Sequence, residues 1–558
     1  MSLKKRILQI YLVLLLVASF AAQGSQTDAD FQASWRYASR LDSPHAPVGI
    51  PAPARDGQAV RLRLDYELQS SAVLQPDPDV GHSADEPKPL TLGNGATYLL
   101  CFVAVLLLFG LLKFLRVVGL LSSGRPYVAV RLKFIIALAL AGTWTAFSIY
   151  LAEYWFNELS GHIGVALATL VIAGIAIVPG FMNAFLLASL LLDRRPARVA
   201  LSEYPSLTVL IAAYNEAGII AQTISSIERQ QYSSKLEVIV IDDGSTDDTA
   251  VKVTEAMIAY PWLKLIRMGK NGGKANALNR GLAMASHKLI VTLDADSCLY
   301  QDALHSIVER YHSDPPNTRV VAGAVLVQNS RTNWVTRTQE WDYFHGIAAI
   351  KRVQSLFQGT LVAQGAFSLY DRQTLVDLGG WPNCVGEDIV LTWAILNRGY
   401  RVGHSEDACV FTTVPDTLKQ FSRQRQRWSR GMIEAFKKHP GVLLTPRLST
   451  FFIYWNLLFP LLDMVFTLFF IPGVILALFG YFWIVGPMTL ALLPVGLAMN
   501  YIMYFRSKNM FDKKNLRVRA NVRGFLMYAI GYSLIMQPVC LWGYLSEVLN
   551  LKKNWGTK

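Results

Sequence analysis

Cysteine is scarce in this chain: five residues in 558 (Cys101, Cys298, Cys384, Cys409 and Cys540), with no C-x-x-C pair among them. That usage excludes a zinc ribbon or a disulfide-stapled framework and leaves reduced thiols in a core or facing lipid. Charge is scarce as well, 17% of residues against 52% hydrophobic, with a mean hydropathy of +0.30. The chain is therefore too apolar for a purely soluble protein. The charge that remains leans basic, +13 net, yet the basic residues stand beside apolar runs, as in Arg194-Arg195 and Arg506 to Arg523. Such placement marks the cytosolic flanks of membrane spans, so no nucleic-acid partner is expected. The length suits one soluble domain and one membrane domain.

Lys4-Lys5-Arg6 followed by the apolar Ile7 to Ala18 and the small residues of Ser19-Phe20-Ala21 reads as a signal peptide or N-terminal anchor over 1–23. Residues 24–95 are then extracytoplasmic and linker-like, apart from one alternating patch from Val60 to Leu68 that has the period of a half-buried strand. A membrane segment at 96–192 follows, with apolar runs at about 97–121, 134–154 and 163–192, each near the 20 or so residues that span a bilayer. Arg125, Arg131 and Lys133 after the first run, and Arg194-Arg195 after the third, place both of those ends in the cytosol. Pro179-Gly180 is expected to bend the third run. A second membrane segment, 450–549, holds runs at about 452–478 and 483–505, then a basic loop (Arg506, Lys508, Lys513, Lys514, Arg517, Arg519, Arg523) and a last run at 524–549. A single last span would put Lys552, Lys553 and Lys558 outside, against the charge rule, and Pro538 leaves a re-entrant turn open there.

Between these segments, residues 193–417 change character. Short apolar runs at Leu207–Ala213, Leu236–Ile241, Leu263–Met268, Leu289–Leu293 and Val320–Val327 alternate with helix-like stretches. That rhythm predicts an α/β fold with a mostly parallel sheet covered on both faces. Ligands of such sheets bind beyond the carboxyl ends of the strands. Acidic residues stand there: Asp242-Asp243 after the second run and Asp294-Ala295-Asp296 after the fourth.

A D-x-D after a strand caps a helix as readily as it binds a metal; several acidic groups at one sheet edge favour the metal. Tyr214-Asn215-Glu216 ends the first strand, with a stacking face and polar groups suited to a base and ribose. Lys270-Asn271-Gly272-Gly273-Lys274 opens the helix after the third strand, and a helix N-terminus with glycines and lysine favours phosphate. Glu387-Asp388 begins a further helix, either as an acidic first turn or as a general base, since an Asp near its reference pKa of ~3.9 is ionised at neutral pH. Residues 418–440 hold an amphipathic, interfacial helix with Leu418, Phe421, Trp428, Met432 and Phe436 on one face and Arg423, Arg427, Arg430 and Lys437 on another. Within it Gln424, Arg427 and Trp428 meet at i, i+3 and i+4, which presents an amide, a guanidinium and an indole together.

With these motifs in order, residues from about 170 to 550 resemble the processive family 2 glycosyltransferases, which include synthases of poly-N-acetylglucosamine, chitin, hyaluronan and cellulose. The resemblance implies a GT-A (Rossmann-like) nucleotide-sugar domain inserted in a multi-span α-helical membrane domain. It implies that Tyr214, Glu216 and Asp243 bind base and ribose and that Lys274 assists the diphosphate. Asp294 and Asp296 would bind the nucleotide-sugar, Asp296 through Mg²⁺ or Mn²⁺. Asp388, with Glu387 beside it, would be the catalytic base, and Gln424, Arg427 and Trp428 would hold the diphosphate and the acceptor end. Two departures stand out. The family's Thr-Glu-Asp is Gly386-Glu387-Asp388 here, and Gln364-Gly365-Ala366-Phe367 fills the acceptor floor, where a smaller residue usually precedes the glycine.

The expectation is a membrane-embedded, inverting enzyme that polymerises a UDP-sugar, UDP-N-acetylglucosamine first among them, into a β-linked exopolysaccharide and exports it. One base and no evident second nucleophile fit a single displacement. The alternative is a non-processive transferase that moves one sugar to a lipid carrier, and a third reading is an inactive scaffold. Expected partners are the UDP-sugar donor, the growing polysaccharide, the lipid bilayer and a small membrane or periplasmic subunit. The expected location is a bacterial inner membrane, multi-pass, with the catalytic domain in the cytosol.

Overall fold

The computed structural model describes residues 129–193, 198–486 and 521–552, with a few positions between them. The segments 1–23 and 24–95 with the Val60–Leu68 patch, the run at 97–121, and most of the 483–505 run and of the basic loop lie outside the described residues.

Eight strands form one sheet: β1 (Leu207–Ala213), β2 (Leu236–Asp242), β3 (Leu263–Arg267), β4 (Leu289–Leu293), β5 (Ser297–Leu299), β6 (Thr318–Val327), β7 (Phe367–Asp371) and β8 (Arg401–Thr412). Their order is β3-β2-β1-β4-β7-β6-β8-β5. The first four pair in parallel. β7 is antiparallel to both its neighbours, and β5 is antiparallel to β8. The chain builds outward from β1 to β3 and then returns to β1's other side to lay down β4. That reversal opens a crevice at the carboxyl ends of β1 and β4. Because β7 runs the other way, the residues before it, Gln364 to Ala366, stand at the same end, where Asp294 N–H donates to the Ala366 carbonyl at 3.3 Å.

Both sheet faces are buried, which is why the strands are nearly continuous apolar runs. Strand alternation divides them into two cores. Val209, Ile211, Val238, Val240, Val291 and Leu293 pack with Ile220, Ile224, Leu304 and Ile307 on one face. Leu210, Ile239, Ile241 and Ile290 lie in the core of the other face, which also contains Leu278, Val390, Trp393, Phe185, Phe452 and Trp455. That second core therefore runs without interruption into the long apolar helices.

Four described helices are long and apolar enough to cross a membrane: Val130–Ile163, Val165–Leu192, Thr450–Leu478 and Val522–Val548. Arg131 and Lys133, read above as loop residues, belong to the first turn of the first of these, so the run expected at 134–154 is longer at both ends. A π-helical turn at Ala173–Ile177 precedes Pro179, and another at Phe466–Phe470 precedes Pro472. Proline removes one N–H and crowds the carbonyl four residues back, and the widened turn absorbs that misfit. A π-helical turn thus lies just before Pro179-Gly180, where a bend is expected. Val522–Val548 is one continuous helix through Pro538, not a re-entrant turn.

Helix Leu418–Lys438 is not a free interfacial helix with one apolar face. It packs between helix Glu387–Asn397 and the last helix, and buries cations as well as apolar groups. Arg430, assigned above to the polar face, is buried, with Nε 3.3 Å from a Glu547 carboxylate oxygen and further hydrogen bonds to the Leu551 and Lys552 carbonyls. Trp393 is wholly buried at the centre of this packing, its ring edge-on to Phe436 at 4.7 Å between centroids. Trp393→Ala should therefore cost about 3–5 kcal/mol of stability, seen as a lowered thermal midpoint of the detergent-purified chain; an unchanged midpoint would show that this contact does not hold the two helices together.

Candidate active site

The loops after β1 and β2 are zipped together before any ligand arrives. Asn215 N–H donates to Ser245 Oγ at 3.0 Å, Thr246 N–H to Asn215 Oδ1 at 2.8 Å, and Glu216 N–H to Thr249 Oγ1 at 2.8 Å. Tyr214 stays exposed on this rim. Asp242 accepts from Ser245 N–H at 3.0 Å and so shapes the turn. Asp243 is buried and accepts from Gly272 N–H and Gly273 N–H, one on each carboxylate oxygen, both at 2.8 Å. One carboxylate thus ties the end of β2 to the glycine loop that launches helix Lys274–Met284.

That loop fixes Lys274. Its ammonium donates to Asp294 at the end of β4. Burial alone would push the Lys274 pKa down, but the pull of Asp294, then of Glu387 and Asp388, holds it well above the ordinary lysine value. Lys274 passes directly over Gly365: a Cβ there would stand 2.7 Å from its Nζ. Gly365 therefore leaves the room in which cation and carboxylates meet. Beside it the Gln364 side-chain amide donates to the Gly323 carbonyl at 2.6 Å, while its Oε1 is buried without a hydrogen-bond partner. Asp296 Oδ1 lies 3.4 Å from both Ser297 Oγ and Thr412 Oγ1.

Glu387 and Asp388 enter from the opposite side, on the first turn of helix Glu387–Asn397. The position of that turn explains the glycine that precedes the acidic pair. A Cβ on Gly386 would come within 2.5 Å of Gly431 Cα on helix Leu418–Lys438. The Gly386 N–H also donates to Glu434 on the same helix at 2.9 Å. Burial, and then the neighbouring Asp388 charge, raise Glu387 above the usual carboxylate range, while Lys274 and Arg427 oppose the rise. Asp388 is half-buried and accepts from its neighbour's N–H at 2.7 Å. A second amine, Lys351, is pushed down to about 7 by burial, against the pull of Asp388.

Of the aromatic and cationic groups expected on helix Leu418–Lys438, Arg427 reaches Glu387 electrostatically, and Gln424 Oε1 is buried without a partner. Trp428 is 44% exposed, in keeping with a face offered to something else. Sequence reasoning passed over the residue that holds it. The Arg425 guanidinium lies 4.0 Å from the Trp428 ring centroid, 5.0 Å from Phe421 and 5.8 Å from Tyr343, and an Asp342 oxygen pins it at 2.8 Å. Tyr343, its ring centroid 6.3 Å from that of Trp428, is within electrostatic reach of both Asp296 and Arg427. Arg425 could have been found inside Gln424-Arg425-Gln426-Arg427-Trp428; Asp342 and Tyr343 carry no motif.

The arrangement gathers Lys274, Asp294, Glu387, Asp388 and Arg427 at the switch point of a Rossmann-like sheet, with Tyr214 exposed after its first strand. This is a GT-A (Rossmann-like) type of sheet domain. Residues 208–379 match the family model described as glycosyl transferase family 2, so this stretch is similar to the domains of that family. The chain is 33% identical over 241 residues to a poly-beta-1,6-N-acetyl-D-glucosamine synthase of Staphylococcus aureus, covering 43% of this chain and 57% of that one. A synthase of the same name from Staphylococcus epidermidis is 32% identical over 226 residues, 40% of this chain and 54% of the relative. The match thus spans little more than half the length of these curated relatives. A solved mannosyltransferase of Pyrobaculum calidifontis, in complex with GDP-Man and Mn2+, superposes with a TM-score of 0.48 at 20% identity, over 69% of this chain and 98% of that one.

Two outcomes follow from this geometry. Arg425 and Asp342 should be coupled: in a double-mutant cycle of Arg425→Met and Asp342→Asn, the thermal-stability losses should fall short of additivity by about 0.5–3 kcal/mol, and additive losses would dismiss the pairing. Glu387 gives a pH signature. Its folded pKa is raised, so between the unfolded value and the folded one the native state binds the extra proton, and stability falls as pH rises through that window. Glu387→Gln should flatten this part of the unfolding-midpoint profile between weakly acidic and neutral pH; a profile as steep as the parent's would remove the raised Glu387 from the account.

Proposed function

We propose that the chain is a membrane-embedded, processive and inverting transferase that extends a β-linked polysaccharide from a UDP-sugar, with UDP-N-acetylglucosamine as donor. The observation that carries the reading is the opposition of Lys274 and Asp294 on the sheet edge to Glu387-Asp388 on a separate helix, with Arg427 and the unpartnered Gln424 oxygen beside them. The name of the staphylococcal relatives supports N-acetylglucosamine as the sugar. Four long apolar helices, all of which contribute to a core shared with the sheet, support synthesis at a bilayer and delivery of the product across it. The setting that fits is a bacterial inner membrane with the sheet domain in the cytosol, and a small membrane or periplasmic subunit is a plausible companion.

Tyr214 and Glu216 line the rim for base and ribose, Asp243 serves them from beneath by holding the glycine loop in place, and Lys274 leads to the diphosphate. Among the described residues no three acidic, His or Cys side chains enclose a metal by themselves. The site nonetheless fits a hard cation, because Mg²⁺ is commonly held by one or two carboxylates and completed by phosphate oxygens. Asp296 would hold it while Asp294 is engaged by Lys274. When bound, Mg²⁺ or Mn²⁺ would neutralise diphosphate charge. Asp388 takes the proton from the acceptor hydroxyl as that oxygen bonds to the anomeric carbon. The bond to the diphosphate breaks on the far side, so the anomeric configuration inverts, and Arg427 and Lys274 offset the charge on the departing UDP. Trp428 offers its exposed ring to the acceptor sugar.

The direct test is product analysis. UDP release should accompany a polymer cut by a β-hexosaminidase and not by cellulase or hyaluronidase; one sugar on a lipid carrier would favour the non-processive alternative. Asp388→Asn should lose about 10²–10⁴-fold in turnover with donor affinity little changed, and normal turnover would remove Asp388 as base. Asp296→Asn should abolish turnover and weaken cation-dependent UDP binding. Trp428→Ala should still bind UDP yet make little or no polymer, whereas long polymer from it would count against processivity.

A further inference from the structure

Helices Trp334–His345, Leu418–Lys438 and Val522–Val548 leave a cleft of about 220 Å³ between them, away from the carboxylates. Trp334, Leu418, Phe421, Met527, Gly531 and Ile535 line it, and Thr338 and Tyr532 are its only hydroxyl-bearing side chains. Trp334, Leu418 and Met527 are exposed at its mouth, so an apolar slot opens through an apolar rim. Water gains nothing there, and burial of hydrocarbon is favoured. The slot lies along the first turns of a helix long and apolar enough to cross a bilayer.

Charge selects the occupant. Lys419 follows Leu418, and Arg523 stands one helical turn before Met527; both are exposed. Against them, the adjoining residues 416–419 and 522–527 carry one exposed carboxylate, Asp416. Glu340 nearby is already held by Arg331 at 2.6 Å and by Asn521 at 2.7 Å. An apolar slot under a cationic lip is complementary to a ligand with a hydrocarbon tail and an anionic head, and each basic residue near a bilayer surface adds about 1 kcal/mol toward anionic lipid.

We propose that this cleft binds an acyl chain of an anionic phospholipid, with its headgroup phosphate drawn to Lys419 and Arg523. The site reaches the chemistry through one shared side chain. Phe421 is both a wall of the cleft and a ring of the Arg425 cage that holds Trp428. A filled cleft adds contacts to that wall, which already packs against Val335 and Tyr532.

The test uses the full chain in phosphatidylcholine vesicles doped, at one mole fraction, with either dibrominated phosphatidylglycerol or dibrominated phosphatidylcholine. Bromine quenches nearby indoles, and the Trp334 contribution is the difference from Trp334→Phe. The expected result is stronger, saturable quenching of Trp334 by the anionic lipid. Gly531→Leu supplies the control, because Gly531 lines the cleft and a Cβ there meets nothing within 4 Å, so the larger side chain takes up space that the acyl chain needs. That variant should lose the excess quenching. Lys419→Gln and Arg523→Gln should each lower the anionic preference by roughly fivefold. Equal quenching by the two lipids, or an excess that survives Gly531→Leu, overturns the proposal. Recovery of the chain with a helix of another protein in the slot and no lipid effect overturns it equally.

Discussion

The structure depends on one ammonium group placed among three carboxylates. Asp294, Glu387 and Asp388 come from two separate elements and converge on Lys274. Without a cation between them, like charges this close would force one or more to take up a proton, or would drive the elements apart. Much else in the domain serves that placement. Asp243 clamps the loop from which Lys274 departs, and Gly365 clears the space through which its side chain passes. β7 runs backward through the sheet, so that Gly365 arrives at the end where the parallel strands finish. The compensation is incomplete, and the residue that shows it is Glu387, whose proton is held more tightly than in water.

The second half of the site is set by helix packing. Gly386 and Gly431 touch backbone to backbone, and this contact sets the depth at which Glu387-Asp388 enters the crevice. The same helix that supplies Gly431 presents Arg427 inward and Trp428 outward, and Arg425 braces the indole from behind. Because this helix is also pinned to Glu547 through Arg430 and Lys437, the carboxylate pair, the indole and the last apolar helix are mechanically one body. A core that continues from the sheet to Phe185, Phe452 and Trp455 joins the other apolar helices to the same body.

Much of this could be read from the order of residues, and the part that could not has a common cause. The runs at Leu207–Ala213 and Leu289–Leu293 are strands with those bounds, because a stretch of five to seven apolar, largely β-branched residues between turn signals has few other stable states. The positions of Asp242-Asp243 and Asp294 at strand ends follow from that local pattern alone. β7 and β8 escaped notice because Phe367–Asp371 and Arg401–Thr412 mix polar and small residues and gain their strand character from neighbours far along the chain. The sense of β7, which brings Gln364-Gly365 to the site, is likewise a matter of pairing and not of composition. The buried places of Arg425 and Arg430 run against the amphipathic pattern of their own helix; each is stable only because a carboxylate from a distant helix, Asp342 or Glu547, meets it there. Local sequence thus determined which elements form and which of them carry charge at their ends. Tertiary structure alone decided which charges face one another, since the free energy of a buried ion depends on a partner that its own segment does not contain.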